Sequence, residues 1–342
     1  MISRILIVGL GSIGERHLAL ARVLFPSAEI KVFRHKPLSP APEISDGCIF
    51  SLEEIHGFSP QIAVIANPAP FHIQIAKALA EAGAHLLIEK PLSDSTEGVI
   101  SLIEVCRRKN LTLEVGYNLR FSPSLRFFRE LLDQDLIGNT LSVRCEVGQY
   151  LPTWRQASSY RQGVSAKKEL GGGVLMELSH ELDYLRWFFG EIDWVRATLS
   201  RQSSLDIDVE DFAQLTLGFS PINRSESIIG TVNLDFFRHD KTRLFTIIGE
   251  RGSLRWDGIA GEVLLFEEGG SDWRQLFVHQ PQFNETYLAE WIEFLKCVNN
   301  NGIPTITGED GLRVLEIIEA ARVSAVSGNQ VSVNRVQLKD LT

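Results

Sequence analysis

The sequence has little cysteine, and its cysteines form no motif. Only four occur in 342 residues, and they are far apart: Cys48, Cys106, Cys145 and Cys297. The absence of a C-x-x-C pair argues against a zinc site and against a redox dithiol. Reduced thiols of this kind are typical of a cytosolic protein. We therefore predict no metal site and a cytoplasmic location.

Long apolar runs and dense positive charge are missing as well. The N-terminal apolar run covers only residues 5–10 and is interrupted by glycine, so it is too short for a secretion signal or a membrane span. The net charge is −9, with 34 Lys and Arg against 43 Asp and Glu. A chain of this charge repels polyanions. These absences argue against nucleic-acid and membrane partners and favour a small-molecule substrate.

The rest of the composition is that of an ordinary globular protein, with 44% hydrophobic and 23% charged residues. The length of the chain favours two domains.

In the first third, short apolar runs alternate with amphipathic stretches, a pattern typical of βαβ units around a parallel sheet. We assign residues 1–120 to an α/β dinucleotide-binding domain with a doubly wound Rossmann sheet. Its predicted elements are strands over 5–8, 30–33, 62–66, 85–88 and 111–115 and a helix over 71–82.

After residue 120 the apolar runs become longer and alternate with polar residues, which predicts an antiparallel sheet covered by helices on one face. We assign residues 121–342 to an α+β domain that binds substrate and forms oligomers. Its predicted elements are strands over 141–147, 194–200, 213–219, 227–236, 243–249 and 262–266 and helices over 174–189, 285–298 and 308–327.

A glycine-rich motif, G-L-G-S-I-G, follows the first predicted strand and opens a helical pattern. Gly9 permits a tight turn, Gly11 lets the backbone approach a pyrophosphate, and Gly14 lets the helix pack closely on the strand. Ser12 and Ile13 lie in the first helical turn, whose N–H groups face the phosphate charge. The motif predicts a bound nicotinamide dinucleotide.

The end of the second strand bears on which nicotinamide cofactor is bound, because an acidic residue there would accept a hydrogen bond from the ribose 2′-hydroxyl. This sequence has Arg34, followed by His35 and Lys36. Positive charge favours NADP(H) over NAD(H) at this position. The alternative interpretation is that these are solvated loop charges, and it leaves NAD(H) open.

Several further stretches carry a resemblance to a known family. They are A-N-P-A-P-F-H at 66–72, E-K-P at 89–91, G-Y-N-L-R-F at 116–121, the glycines at 171–173 that lead to His180 and Asp183, and T-G-E-D-G at 307–311. As an ordered set, over essentially the whole chain, they resemble the Gfo/Idh/MocA oxidoreductases. The resemblance implies a Rossmann domain followed by a domain with a large, mostly antiparallel open sheet, and a homodimer or homotetramer assembled through that sheet.

The resemblance also implies further cofactor-binding and catalytic residues. The cofactor contacts implied beyond the glycine-rich turn are Ala66, Asn67, Pro68, His72, Glu89, Lys90 and Asn118. In the family, the lysine of the E-K-P motif touches the reacting oxygen, where its charge stabilises an alkoxide or polarises a carbonyl. We therefore predict that Lys90 is catalytic and binds substrate.

His180 is the predicted proton carrier, because an imidazole beside a carboxylate titrates near working pH. A single helix over 174–189 would place Glu177, His180 and Asp183 on one face. Many family members have Asp four residues before the histidine, whereas this chain has Glu177 three before it. Glu177 is therefore a catalytic candidate that orients Lys90 or is purely structural, and which of Lys90 and His180 is the formal base stays open.

The predicted substrate contacts are Lys90, Asn118, Arg120, Trp154, Tyr160, Arg161, His180 and Asp183. Positive charge at Arg155, Arg161, Lys167 and Lys168, just before the predicted catalytic helix, suits an anionic substrate such as a sugar acid or a nucleotide-linked sugar. The alternative is an ordinary charged loop.

Three functions remain to be compared. The leading one is an NAD(P)-dependent dehydrogenase or reductase that transfers hydride to or from a sugar, sugar acid or nucleotide-linked sugar. The second is an enzyme on the same scaffold that retains NAD and cleaves a glycoside or eliminates a group without net redox change. The third is a non-catalytic nucleotide sensor, which gives no reason for Lys90 and His180 to accompany a cofactor site.

Overall fold

The computed structural model describes residues 2–35, 41–154, 159–220 and 227–337. Their contacts divide the chain into two compact units. The first contains the described residues up to Tyr117 together with Thr286–Leu315, and the second contains Asn118–Glu285 and Glu316–Gln337. No helix of the described segments is long and apolar enough to cross a membrane.

The first unit contains a six-stranded sheet in which every pairing is parallel. The strands are β1 (Arg4–Val8), β2 (Glu29–Phe33), β3 (Cys48–Ile49), β4 (Ile62–Ile65), β5 (His85–Glu89) and β6 (Leu113–Gly116), and the helices between them are α1 (Ser12–Leu24), α2 (Leu52–Phe58), α3 (His72–Glu81) and α4 (Val99–Arg108). The strand order is β3-β2-β1-β4-β5-β6, which is the doubly wound Rossmann order. The predicted fold class of this part is confirmed, and β3 is a strand too short for the sequence pattern to reveal.

The second unit contains a nine-stranded sheet of order β14-β13-β12-β11-β7-β10-β9-β8-β15, in which only β7 and β10 pair in parallel. Its strands are β7 (Thr140–Gly148), β8 (Ile192–Ser200), β9 (Phe212–Phe219), β10 (Ile229–Asp235), β11 (Thr242–Gly249), β12 (Gly252–Asp257), β13 (Glu262–Glu267), β14 (Arg274–Val278) and β15 (Val331–Ser332). The predicted large, mostly antiparallel sheet is confirmed.

The second unit contains the helices α5 (Pro123–Asp133), α6 (Val174–Glu177) and α7 (His180–Phe189). Aromatic side chains of α5 and α7 pack against the sheet. The rings of Phe128, Tyr184 and Phe188 all lie within 5.3 Å of the ring of Phe245 on β11. Apolar burial of this size is the main source of stability for the unit.

The single helix predicted over 174–189 is wrong, because the structure divides it into α6 and α7. Leu178 and Ser179 lie between the two helices. In α6, the backbone N–H of Leu175 donates to the carboxylate of Glu210, 3.2 Å away. In α7, by contrast, side chains form ion pairs. Tertiary contacts therefore override a continuous helical pattern in the sequence.

The chain returns to the first unit through α8 (Glu285–Asn300) and the start of α9 (Gly308–Ser327). Trp291 and Phe294 of α8 are fully buried in one core cluster with Ile5 and Ile7 of β1. The sequence-based division assigns this helix to the second domain, since amphipathic spacing shows that a face is buried but not against which partner. As a division into functional domains, the boundary at residue 120 stays a prediction.

The core of the first unit also contains a buried carboxyl group on β6. Glu114 is completely buried, and burial, with the neighbouring carboxyl groups of Glu290 and Glu293, raises its pKa from 4.5 to about 11. The folded protein therefore keeps a proton that the unfolded chain releases once the pH exceeds about 4.5. This contribution to stability is complete below that pH and is lost as the pH rises.

We expect Glu114→Gln, which resembles the protonated acid, to weaken this pH dependence. Between about pH 5 and pH 9 the free energy of unfolding of the wild type should fall more steeply than that of the variant, by up to about 1.4 kcal/mol per pH unit. Urea denaturation at a series of pH values measures both slopes. The exposed Glu130→Gln serves as the control, and equal slopes for Glu114→Gln and the wild type would contradict the assignment.

Candidate active site

The glycine-rich turn lies at the carboxyl end of β1 and joins it tightly to α1. Gly9 has a φ of 87°, and a Cβ there would lie 2.8 Å from the backbone nitrogen of Asn67. A Cβ on Gly14 would collide with the carbonyl oxygen of Gly9. Side chains at these two positions are therefore incompatible with the turn, which brings the loops after β1 and β4 together.

Gly11 has a different role, because it faces open space. No atom of the described chain lies within 4 Å of the position of its Cβ, and it caps the N-terminus of α1 with a φ of −75°. Ser12 and Ile13 follow in the first helical turn, whose N–H groups have no partner inside the helix and favour negative charge. Asn67 Oδ1, beside this turn, is buried with no hydrogen-bond partner among the described residues. A dinucleotide with its pyrophosphate against the helix fits these residues.

The residues predicted to select the cofactor lie directly after β2. Arg34 N donates to Ile49 O at 3.0 Å, which keeps the loop on the sheet, and Gly9 N donates to the carbonyl of Phe33 at 3.2 Å. His35 is exposed, and Lys36 lies outside the described residues. Arg34 and His35 thus follow the end of β2 that lies next to the glycine-rich turn.

Four predicted cofactor residues follow β4. Three lie in the loop, and the fourth, the buried His72, begins α3. Ala66 N donates to Val8 O at 2.8 Å, and Asn67 and Pro68 follow it. His72, at the start of α3, is 1% exposed; its Nε2 lies 2.6 Å from Asn67 O and its Nδ1 3.3 Å from Leu92 O. Burial lowers the pKa of His72, so the neutral ring donates through the shorter contact. His72 therefore connects two backbone loops, and its contact with cofactor stays a prediction.

Lys90 lies at the carboxyl end of β5, in a cis peptide bond with Pro91. Its backbone N–H donates to Oε2 of Glu89 at 3.2 Å. The Glu89 side chain is buried, and its Oε1 lies 2.8 Å from Nε2 of His17. The sequence analysis did not identify His17, although it lies three residues after Gly14 on the helix face that packs on the sheet.

In the second unit, three ion pairs hold the helix that begins with His180. Glu181 is fully buried and accepts from Arg243 at 2.9 Å. Asp183 pairs with Arg120, and Arg186 pairs with Glu191. Since removal of one partner from a buried pair is costly, these contacts fix the position of α7 and of His180.

The predicted common face of Glu177, His180 and Asp183 is wrong, because the three residues do not lie on one helix. Glu177 ends α6, His180 begins α7, and the helical i,i+3 spacing does not apply between them. Asp183 instead accepts two hydrogen bonds from the Arg120 guanidinium, at 2.7 and 2.8 Å. Two predicted substrate contacts thus bind each other, while buried Asn118 begins the same short turn as Arg120.

The remaining predicted substrate contacts lie in the segment before α6. Trp154 Nε1 donates to Gln149 O at 3.0 Å. Tyr160 accepts from the backbone of Asp206, and Arg161 Nε lies 3.1 Å from the carboxylate of the same residue. Arg155 lies outside the described residues. Asp206 thus offsets the charge of Arg161, and the preference for an anionic substrate stays a prediction.

Comparison with protein families finds two matches that together span most of the chain. Residues 3–117 match "Oxidoreductase family, NAD-binding Rossmann fold", and residues 129–333 match "Oxidoreductase family, C-terminal alpha/beta domain", the two domain models of Gfo/Idh/MocA proteins. The boundaries of the first match contain β1 to β6, and those of the second contain β7 to β15.

Individual proteins are similar over nearly the full length. A myo-inositol 2-dehydrogenase of Thermotoga maritima is 23% identical, with 97% of this chain and 99% of that protein covered. The solved levoglucosan dehydrogenase in complex with NADH gives a TM-score of 0.84 at 22% identity, over 98% of this chain and 100% of that one. The WlbA dehydrogenase from Bordetella pertussis in complex with NADH and UDP-GlcNAcA gives 0.79 at 21%, over 98% and 99%. At these identities the solved structures show that the fold is shared.

We expect Gly11→Ala to weaken cofactor binding without loss of stability. The backbone at Gly11 suits alanine, and the added methyl group would enter only the open space assigned to the pyrophosphate. Calorimetric titration should show about a tenfold or larger increase in the Kd for NAD(P)H, with an unchanged Tm. Gly57→Ala, also directed into open space but in α2, is the matched control. Equal Kd values for both variants and the wild type would contradict the assignment.

Proposed function

The chain belongs to the Gfo/Idh/MocA oxidoreductase family, and on this basis we propose that it transfers hydride between a nicotinamide dinucleotide and a hydroxyl or carbonyl group of a sugar derivative. One observation carries the proposal: the glycine-rich turn, Asn67 and Lys90 follow three adjacent parallel strands, β1, β4 and β5, at the same sheet edge. Open α/β sheets bind ligands at this edge. The predicted cofactor-binding turn and Lys90 thus follow strands at the same edge of the sheet.

We propose a ring with several hydroxyl groups as the substrate class. The names of similar proteins support it, since they include dehydrogenases of myo-inositol and levoglucosan and a dehydrogenase solved with UDP-GlcNAcA. The pairing of Arg161 with Asp206 favours a neutral sugar or cyclitol over an anionic one. Sugar acids and nucleotide-linked sugars therefore come second in a substrate screen.

The proposed chemistry divides between two side chains. The nicotinamide ring, when bound, supplies the hydride acceptor or donor. Lys90 stabilises negative charge on the reacting oxygen through its ammonium group. His180 takes up or returns the hydroxyl proton, and the ion pairs of its neighbours Glu181 and Asp183 hold it in place. Glu177 is left as a candidate for orienting Lys90.

The proposed cofactor preference depends on Arg34, whose charge favours a 2′-phosphate. We therefore propose NADP(H), with a small preference over NAD(H).

We also propose a homodimer or homotetramer formed through the nine-stranded sheet, and action in the cytoplasm. The sheet supports the homodimer or homotetramer because an open sheet face buries its apolar residues against a partner.

We expect Lys90→Ala and His180→Ala each to lower kcat by a factor on the order of 10² to 10⁴ while leaving the Kd for cofactor within about twofold, because both side chains act on the reacting oxygen. Absorbance at the reduced-nicotinamide band measures turnover, and calorimetry measures binding. The exposed residues Lys296→Ala and His56→Ala provide matched controls. Near-full activity of His180→Ala would remove its proton-transfer role, and turnover of substrate with no net absorbance change would favour the NAD-retaining glycosidase or lyase.

We expect Arg34→Ala to raise the Kd for NADPH about tenfold and to leave the Kd for NADH nearly unchanged, because only NADPH carries the 2′-phosphate. Calorimetric titration of the wild type, Arg34→Ala and the exposed control Arg4→Ala with both cofactors measures this difference. A parallel change in both Kd values would show that Arg34 contributes no phosphate recognition.

A further inference from the structure

A directed chain of three hydrogen bonds connects α8 with the backbone of Lys90, all within the first unit. Trp291 Nε1 lies 3.0 Å from His17 Nδ1, and His17 Nε2 lies 2.8 Å from Glu89 Oε1. The third contact joins Lys90 N to Glu89 Oε2 at 3.2 Å. His17 and Trp291 are completely buried, so water does not compete for these bonds.

The direction of the chain determines the tautomer of His17. An indole N–H can only donate, so Nδ1 of His17 accepts with its lone pair. The ring proton of the neutral imidazole is therefore on Nε2 and is donated to Glu89. The Glu89 carboxylate thus accepts one bond at each oxygen.

The same arrangement argues against a metal site, although His17, Glu89 and Glu290 offer ligand atoms within 4.8 Å of one another. A metal would need the lone pair of His17 Nε2, and that nitrogen carries the proton. Burial and the charges of Glu89 and Glu293 raise the pKa of Glu290, which keeps this third group protonated and uncharged. His17 and Glu89 are therefore a hydrogen-bonded pair, and neither carboxyl oxygen of Glu290 has a hydrogen-bond partner among the described residues.

The backbone opposite Glu89 confines its carboxylate further. Glu89 pairs with Gly116 across β5 and β6, and a Cβ on Gly116 would lie 3.1 Å from Oε2 of Glu89. The glycine therefore provides the room that the side chain occupies. His17 holds Oε1 from one direction, and the Lys90 N–H holds Oε2.

We propose that His17 is a positioning residue for Lys90: its Nε2–H group holds Glu89 in one orientation, and Glu89 in turn holds the backbone of Lys90. The proposal rests on the proposed function, in which Lys90 touches the substrate oxygen. A catalytic group displaced by about 1 Å can lose about 100-fold in rate, so an indirect contact of this kind affects turnover.

The first test observes the tautomer directly and needs no substrate. Nitrogen-15 NMR of the full-length protein labelled at histidine should show the His17 ring with its proton on Nε2 and the lone pair on Nδ1. Trp291→Phe removes the donor to Nδ1, so the Nδ1 resonance should shift while the contact of Nε2 with Glu89 remains. Glu89, Glu290 and Tyr287 face the ring, and Arg16 stacks on Tyr287. A ring proton on Nδ1 in the wild type would overturn the proposal.

The second test separates positioning from packing. His17→Gln keeps an N–H donor and should lose less than about tenfold in kcat, whereas His17→Leu should lose about 100-fold, both with cofactor Kd within about twofold of the wild type. Phe294→Leu, in the same core cluster, should lower the Tm and leave the His17 tautomer and kcat unchanged.

The outcomes distinguish this inference from the proposed function. If Lys90→Ala retains full turnover, the proposed function fails, whatever the His17 variants do. If Lys90→Ala is inactive and His17→Leu matches His17→Gln, only the positioning role of His17 fails. If His17→Leu does not fold, the NMR result and the kcat of His17→Gln decide the matter, and a ring proton on Nδ1 or a loss of about 100-fold in kcat for a folded His17→Gln would overturn the proposal.

Discussion

The contact of Gly14 with the carbonyl of Gly9 is the constraint on which the first unit depends. Without side chains at these positions, α1 starts directly beside β1, and its N-terminus opens at Gly11 over the sheet edge. The same approach turns His17 toward the interior, within 2.8 Å of Glu89. One close backbone contact thus places both the open end of α1 and the His17–Glu89 hydrogen bond at this part of the sheet.

In the second unit, ion pairs hold the predicted site residues in position. The sequence predicts Arg120 and Asp183 as substrate contacts, yet the structure pairs them with each other, and it pairs Glu181 with Arg243. A buried pair costs desolvation energy, and loss of one partner typically costs about 3–5 kcal/mol. The pairs therefore hold α7 in one position, and with it His180, which is half-buried at the start of the helix.

The sequence predicted those features that depend on local patterns. The parallel strands, the glycine-rich turn and helix α9 follow from hydrophobic spacing and from the stereochemistry of glycine. It did not reveal the break between α6 and α7, because the contact of Glu210 that anchors α6 is 35 residues away. Trp291 and His17 are separated by 274 residues, and Arg120 and Asp183 by 63, so no local periodicity relates them. The local hydrophobic pattern therefore does not predict which distant residue a polar side chain binds.

The proposed reaction is net hydride transfer between a nicotinamide and a polyhydroxylated ring. The most direct measurement incubates the protein with reduced cofactor that carries deuterium at both C4 positions and with the keto forms of cyclitols and sugars, and follows products by mass spectrometry. We expect one deuterium in the alcohol product for each reduced cofactor consumed. A product formed without deuterium, while the cofactor stays unchanged and bound, would rule out net hydride transfer.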